Sequence, residues 1–210
     1  MKKNTKKIIS KIREKRRKAG KKLMALLVIA GAVILTVGCS GKDQASDSPE
    51  EVSPIYWTEC GYQIGDHGCD MSLSDQNGEA WDLYSNFGSI VVLDFSTTWC
   101  GYCQVAAQTV QSIQDKYEAD GVIYATVLVE DHERLPPSQD ILTQWSDVFE
   151  ISAPVLSGNR QMIDSAGESG WYVTGWPTFF ILDRDLVIRH IQRGYSDENL
   201  VRSIEQVIDL

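Results

Sequence analysis

Two cysteines three positions apart stand in the run Trp99-Cys100-Gly101-Tyr102-Cys103. Thiols at this spacing reach one another across one helical turn, so they can cycle between dithiol and disulfide and exchange electrons with a second sulfur pair. Placed at a helix N-terminus, Cys100 would meet unpaired backbone N–H groups and the positive end of the dipole, which favour the thiolate, the attacking form. Cys103, one turn further in, would be the more buried thiol and would resolve a mixed disulfide by attacking the Cys100 sulfur. Asp94 lies six residues before Cys100 and interrupts an apolar run. A buried carboxylate resists ionising, which suits a group that trades protons with Cys103; the competing reading is a hydrogen-bonded or edge-facing structural acid.

These residues need a strand to deliver them and a helix to receive them, and the surrounding pattern predicts both. Ile90-Val91-Val92-Leu93-Asp94-Phe95 reads as a strand covered on both faces. After it, Ala106, Val110, Ile113 and Tyr117 mark one face of a single helix closed by Gly121. Val122 to Val129 is a second buried strand, and Ile141, Trp145, Val148 and Phe149 mark another helix, capped by Ser138. Thr178 to Leu182 and Leu186 to Ile191 form a hairpin around Asp183-Arg184-Asp185. A last helix starts at Ser196-Asp197-Glu198 and carries Leu200, Val201, Ile204, Val207 and Ile208, with acids at the favourable end of its dipole. The order predicts an α/β domain with a mixed central sheet flanked by helices.

The first 22 residues carry twelve Lys and Arg against Glu14 alone, and Leu23 to Val37 is free of charge. A basic region followed by a short apolar one reads as an export signal, too short for a comfortable membrane span. It ends in Leu35-Thr36-Val37-Gly38-Cys39-Ser40, which resembles the lipobox of bacterial lipoproteins, with Thr36 where that motif usually has Leu. On this reading residues 1–38 are a signal peptide and Cys39 takes the lipid. The alternative is an uncleaved anchor with Cys39 incidental. Either way the chain after Cys39 faces outside the cytoplasm. Ser40 at the second mature position favours the outer membrane under the lipoprotein sorting rule. Residues 39–54 are polar and read as a tether, leaving residues 55–210 as one domain. After residue 38 there are 8 basic and 28 acidic residues. Nucleic acid is therefore excluded as a partner, and contact with anionic lipid beyond the anchor is repulsive.

Cys60, Cys69, Cys100 and Cys103 are an even set in an oxidising compartment, and the expected pairs are Cys60 with Cys69 and Cys100 with Cys103. Cys60–Cys69 reads as a structural disulfide, with an electron relay to Cys100 as the sharper alternative. Zinc would need two further ligands beyond the Cys100/Cys103 pair. Only Cys60, His67 and Cys69 offer themselves, at unhelpful spacing, so no metal is expected. His67, His132 and His190 are scattered and read as surface or core.

Three marks in order carry a family resemblance: Asp94-Phe95, then Trp99 to Cys103, then Gly175-Trp176-Pro177-Thr178 followed by a strand. With them, about Gly65 to Leu210 resembles the thioredoxin-like superfamily, and within it the envelope redoxins built as lipoproteins or membrane-anchored reductases. The resemblance implies a thioredoxin-like fold, no cofactor and thiol–disulfide exchange with protein substrates. It implies an electron donor in the membrane or periplasm, and the lack of the separate dimerisation domain that disulfide isomerases bring favours a monomer. It equates Pro177 with the superfamily's cis-proline, which leaves the preceding backbone free to pair with a substrate strand. Trp99 and Trp176 would border that groove, though Trp176 also reads as core. Gly101-Tyr102 matches what bacterial disulfide isomerases carry, which leaves the direction of electron flow open. Two other classes stay in view. One is a redox-inert peptide-binding module. The other is a thiol peroxidase, whose PxxxTxxC pattern finds Thr97 but meets Leu93 where proline belongs.

Overall fold

In the computed structural model, which describes residues 55–210, the run read as a doubly covered strand is the middle of the sheet. The elements in chain order are β1 (Ser72–Ser74), β2 (Ala80–Asp82), β3 (Ile90–Thr97), α1 (Gly101–Ala107), α2 (Val110–Tyr117), β4 (Val122–Glu130), α3 (Gln139–Phe149), β5 (Val155–Ser157), β6 (Ile163–Asp164), β7 (Trp171–Tyr172), β8 (Thr178–Leu182), β9 (Ile188–Arg193) and α4 (Asp197–Ile208). The five-stranded sheet runs β5-β4-β3-β8-β9. β4 is parallel to both β3 and β5, while β8 is antiparallel to β3 and β9. This is the thioredoxin-like arrangement.

Every residue of β3 is buried, because alternate side chains feed two different cores. Ile90 and Val92 point into a core shared with Val110 and Ile113 of α2, Leu142 and Trp145 of α3, and Leu200 and Ile204 of α4. Val91, Leu93 and Phe95 point the other way, onto Met71, Leu83, Trp171 and Val173 from irregular segments and short strands. The helices thus cover one face and loops the other. Burying Leu200 and Ile204 completely contributes about 1.5–3 kcal/mol each, and that holds α4 against the sheet. The Ser196 hydroxyl accepts from Asn199 N–H at 3.4 Å and caps α4 at the start the sequence predicts.

Four local expectations are corrected. The single helix after Cys100 is two, α1 and α2. The Gln108 and Thr109 amides donate three residues back, to Val105 and Ala106, and Thr109 Oγ1 donates to the Ala106 carbonyl as well, which turns the chain. Ser138 starts α3 through its backbone carbonyl, with no side-chain cap. The buried side of α3 is Leu142, Trp145 and Ser146, so Val148 is 64% exposed. Leu186 is not in a strand. It sits in the turn at φ 57° because Asp183 accepts from the Asp185 and Val187 amides and wraps the chain around its carboxylate. β5 has no counterpart among the expected strands.

The signal region, the lipobox with Cys39 and the tether lie outside the described residues. Among the described residues no helix is long and apolar enough to cross a membrane.

Candidate active site

β3 ends at Thr97, and α1 begins four residues later with Cys100 as its N-cap. Cys100 has extended backbone angles, and its Sγ accepts the Cys103 N–H at 3.2 Å. A sulfur in that position satisfies one of the amides a helix start leaves unpaired, and the bond strengthens as the sulfur gains charge. Cys103 is fully buried and Cys100 is 8% exposed, so the first thiol is the one nearer the surface. Burial pushes the Cys103 thiol well up, and the hydrogen bond with Cys100 and the charge of Asp94 add to it.

Asp94 follows Ile90 and Val92 on the helix-facing side of β3, the side that also holds Cys103. It is 1% exposed. Ser96 Oγ donates to its Oδ1 at 2.6 Å, and Tyr124 Oη, from β4, donates to Oδ2 at 3.3 Å. Burial outweighs both bonds and pushes the Asp94 carboxyl up to about 7. The Ser96 hydroxyl and the Thr97 backbone also reach the Cys103 thiol. Asp94, Ser96 and Cys103 therefore form one buried cluster in which Ser96 reaches both the carboxyl and the thiol.

Pro177 follows a cis peptide bond after Trp176 and leads directly into β8. Because Phe95 pairs with Thr178, this loop lies at the same end of the sheet as the two thiols. Trp99 and Trp176 are both half-buried and both pack on the helix-side core. One feature escaped the sequence. Glu130, the last residue of β4, has a side chain only 4% exposed and accepts from Trp99 Nε1 at 3.3 Å, Arg134 Nη1 at 3.2 Å and Arg160 Nε. The Arg160 hydrogen bond, before all else, holds its carboxyl below the usual range. A cavity of about 590 Å³ also opens beside Thr98 and Gln104, floored by Trp145 and the exposed Val148.

Cys60 and Cys69 form a disulfide. Their loop is bonded to the far turn of the β8–β9 hairpin: Gly68 N–H donates to Leu186 O, Gly65 N–H to Ile188 O, and Ile188 N–H to Asp66 O. Ile188 pairs with Leu182, whereas the thiol pair lies at the Thr178 end of β8. Four ladder steps separate those ends, about 13 Å along the strand. That separation favours a structural bridge over a relay. Among the described residues no group of three or more His, Cys, Asp or Glu is placed to hold a metal.

Residues 64–191 match the model of the AhpC/TSA family. The chain is 30% identical over 153 residues to the thioredoxin-like protein YneN of Bacillus subtilis, covering 72% of this chain and 82% of that one. Among solved structures it is similar to a thiol:disulfide interchange protein of the thioredoxin family from Chlorobium tepidum, at 17% identity and TM-score 0.56, covering 72% of this chain and 99% of the other. A DsbF homologue from Corynebacterium diphtheriae is similar at 18% identity and TM-score 0.55, covering 76% and 96%. The structural likenesses show the fold.

Proposed function

This chain belongs to the AhpC/TSA family and to the thioredoxin-like redoxins, and from that premise we propose that it is a thiol–disulfide oxidoreductase in which Cys100 attacks and Cys103 resolves. The observation that carries the reading is the pairing of a near-surface sulfur, which accepts the Cys103 amide at 3.2 Å, with a second thiol fully buried beside Asp94.

The Cys100 thiolate attacks one sulfur of a substrate disulfide, forming the Cys100–substrate bond as the other substrate sulfur leaves as a thiolate and takes a proton. Asp94, ionised above about pH 7, accepts the Cys103 proton. The Cys103 sulfur then attacks Cys100 Sγ and the second substrate thiolate departs. The substrate has gained two electrons and the enzyme holds the Cys100–Cys103 disulfide, which a thiol or dithiol donor reduces for the next turnover. The same steps in reverse oxidise a substrate dithiol, and Gly101-Tyr102 helps set which direction prevails.

Trp99, Trp176 and Pro177 border the place where a substrate chain meets Cys100 in this proposal. The basic and apolar start of the sequence and Cys39 support a lipid-anchored protein of the bacterial envelope, facing the periplasm, with protein thiols and disulfides as partners. A thiol peroxidase is less well supported, since Leu93 is buried and paired on both sides, with Ala125 and Phe180, where the peroxidase pattern asks for proline.

Insulin reduction by dithiothreitol tests the activity. The wild-type chain is expected to accelerate it and Cys100→Ser to fall to the uncatalysed rate. Equal rates for both would leave a redox-inert binding module.

A further inference from the structure

Glu130 is placed by the sheet itself. It is the register partner of Thr97, and Thr98 N–H donates to its carbonyl at 3.0 Å, so its side chain lies beside the turn that presents Trp99 and Cys100. Its carboxylate then gathers three donors that come from three separate stretches of chain: Trp99, Arg134 and Arg160.

The two arginines do more than neutralise it. The Arg134 guanidinium lies over the Trp99 ring, 3.6 Å from its centroid, and that of Arg160 lies 5.6 Å from the Trp176 centroid. One buried carboxylate therefore ties down two guanidinium groups, and each lies over the ring of the tryptophan that precedes Cys100 or Pro177. The arginine side chains are 57% and 55% exposed, against 4% for Glu130, so the charge that cannot return to water is the carboxylate. Residues 55–210 hold only seven Lys and Arg against 24 Asp and Glu, and two of those seven are committed to this one acid.

We infer that Glu130 is a positioning residue for disulfide exchange: through Arg134 and Arg160 it holds Trp99 and Trp176 as two fixed walls for a polypeptide substrate. The inference rests on the thiol–disulfide reading above. Fixed walls matter to a chain that must lie along them. They matter little to a small disulfide that reaches the Cys100 sulfur directly.

The test compares insulin with bis(2-hydroxyethyl) disulfide as substrates for the full-length protein and for Glu130→Gln, which is close to isosteric and removes the charge. The expected result is a loss of about tenfold in kcat/KM for insulin, carried by KM, with the small disulfide within about twofold and a changed tryptophan emission spectrum. Unchanged insulin kinetics would overturn the inference, and so would an equal loss on both substrates, which would point to damage at the thiols. If Glu130→Gln does not fold, Arg134→Lys with Arg160→Lys keeps Glu130 paired and removes the planar faces. That variant must show the same split between substrates, and its absence would overturn the inference. A wild-type protein that reduces neither substrate would instead sink the thiol–disulfide reading on which the inference stands.

Discussion

Tyr124 donates its hydroxyl to the buried carboxyl of Asp94 at 3.3 Å, reaching across from β4 to the neighbouring strand β3 on the face that carries Cys103. The bond pulls the Asp94 carboxyl down while burial pushes it up, and burial wins. Asp94 thereby titrates at about 7, well above the ordinary carboxylate range.

Burial of this acid makes folding stability depend on pH in a direction opposite to that of a salt-bridged carboxylate. The folded protein holds the Asp94 proton up to about pH 7, whereas an unfolded chain releases it near 3.8. Its contribution to stability is therefore lost progressively as pH rises from about 4 through 7. Asp94→Asn removes that dependence, and its advantage over wild type should grow across the window, to at most about 4 kcal/mol. Urea unfolding of both proteins at pH 4.5 and pH 8 measures it. Parallel shifts in the two proteins would contradict the assignment.

In catalysis the same proton has the reverse value. The rate of Cys103 attack on a preformed Cys100 mixed disulfide should climb as pH passes about 7, as Asp94 ionises and becomes a base. Tyr124→Phe removes a bond that favours the ionised form, so the midpoint of that climb should move up by about half to one unit. Asp94→Asn should abolish the limb and slow resolution at pH 8 by about 100-fold. Stopped-flow measurement of resolution against pH reads all three proteins, and an unchanged rate in Asp94→Asn would return Asp94 to a structural role.

The Cys60–Cys69 bridge closes a short loop against the far turn of the β8–β9 hairpin. Replacing both cysteines by serine should cost about 2–3 kcal/mol of stability through the loop entropy it restores to the unfolded chain. Insulin reduction at a temperature where the variant stays folded should be unchanged. A fall in turnover with the dithiothreitol reaction of Cys100–Cys103 intact would revive the relay.

β3, β4 and β8 were legible because each is a long or continuous apolar run, which only a strand covered on both faces explains. Cys100, Cys103 and Asp94 were legible because types and spacing fall together at the end of such a run. β5 was not, since three residues carry no period to read. The break between α1 and α2 depends on Thr109 turning its hydroxyl to Ala106 and Tyr195, a contact 86 positions distant in the second case. Leu186 looked like strand by type, and only the Asp183 carboxylate, which bonds the chain around it, makes a left-handed leucine tolerable. Glu130 falls one residue past the strand read at Val122 to Val129, and nothing in its type marks it. Its partner Arg134 was visible at i+4, but that spacing carries meaning only on a helix, and Arg160 lies 30 residues away.

The division of labour between the two thiols is tested most directly by trapping. Cys103→Ser incubated with a disulfide-bonded protein should accumulate a mixed disulfide, seen by intact mass and lost on adding dithiothreitol, while Cys100→Ser should form none. Trapping through Cys103 in the Cys100→Ser variant, or no adduct in either, would contradict Cys100 as the nucleophile.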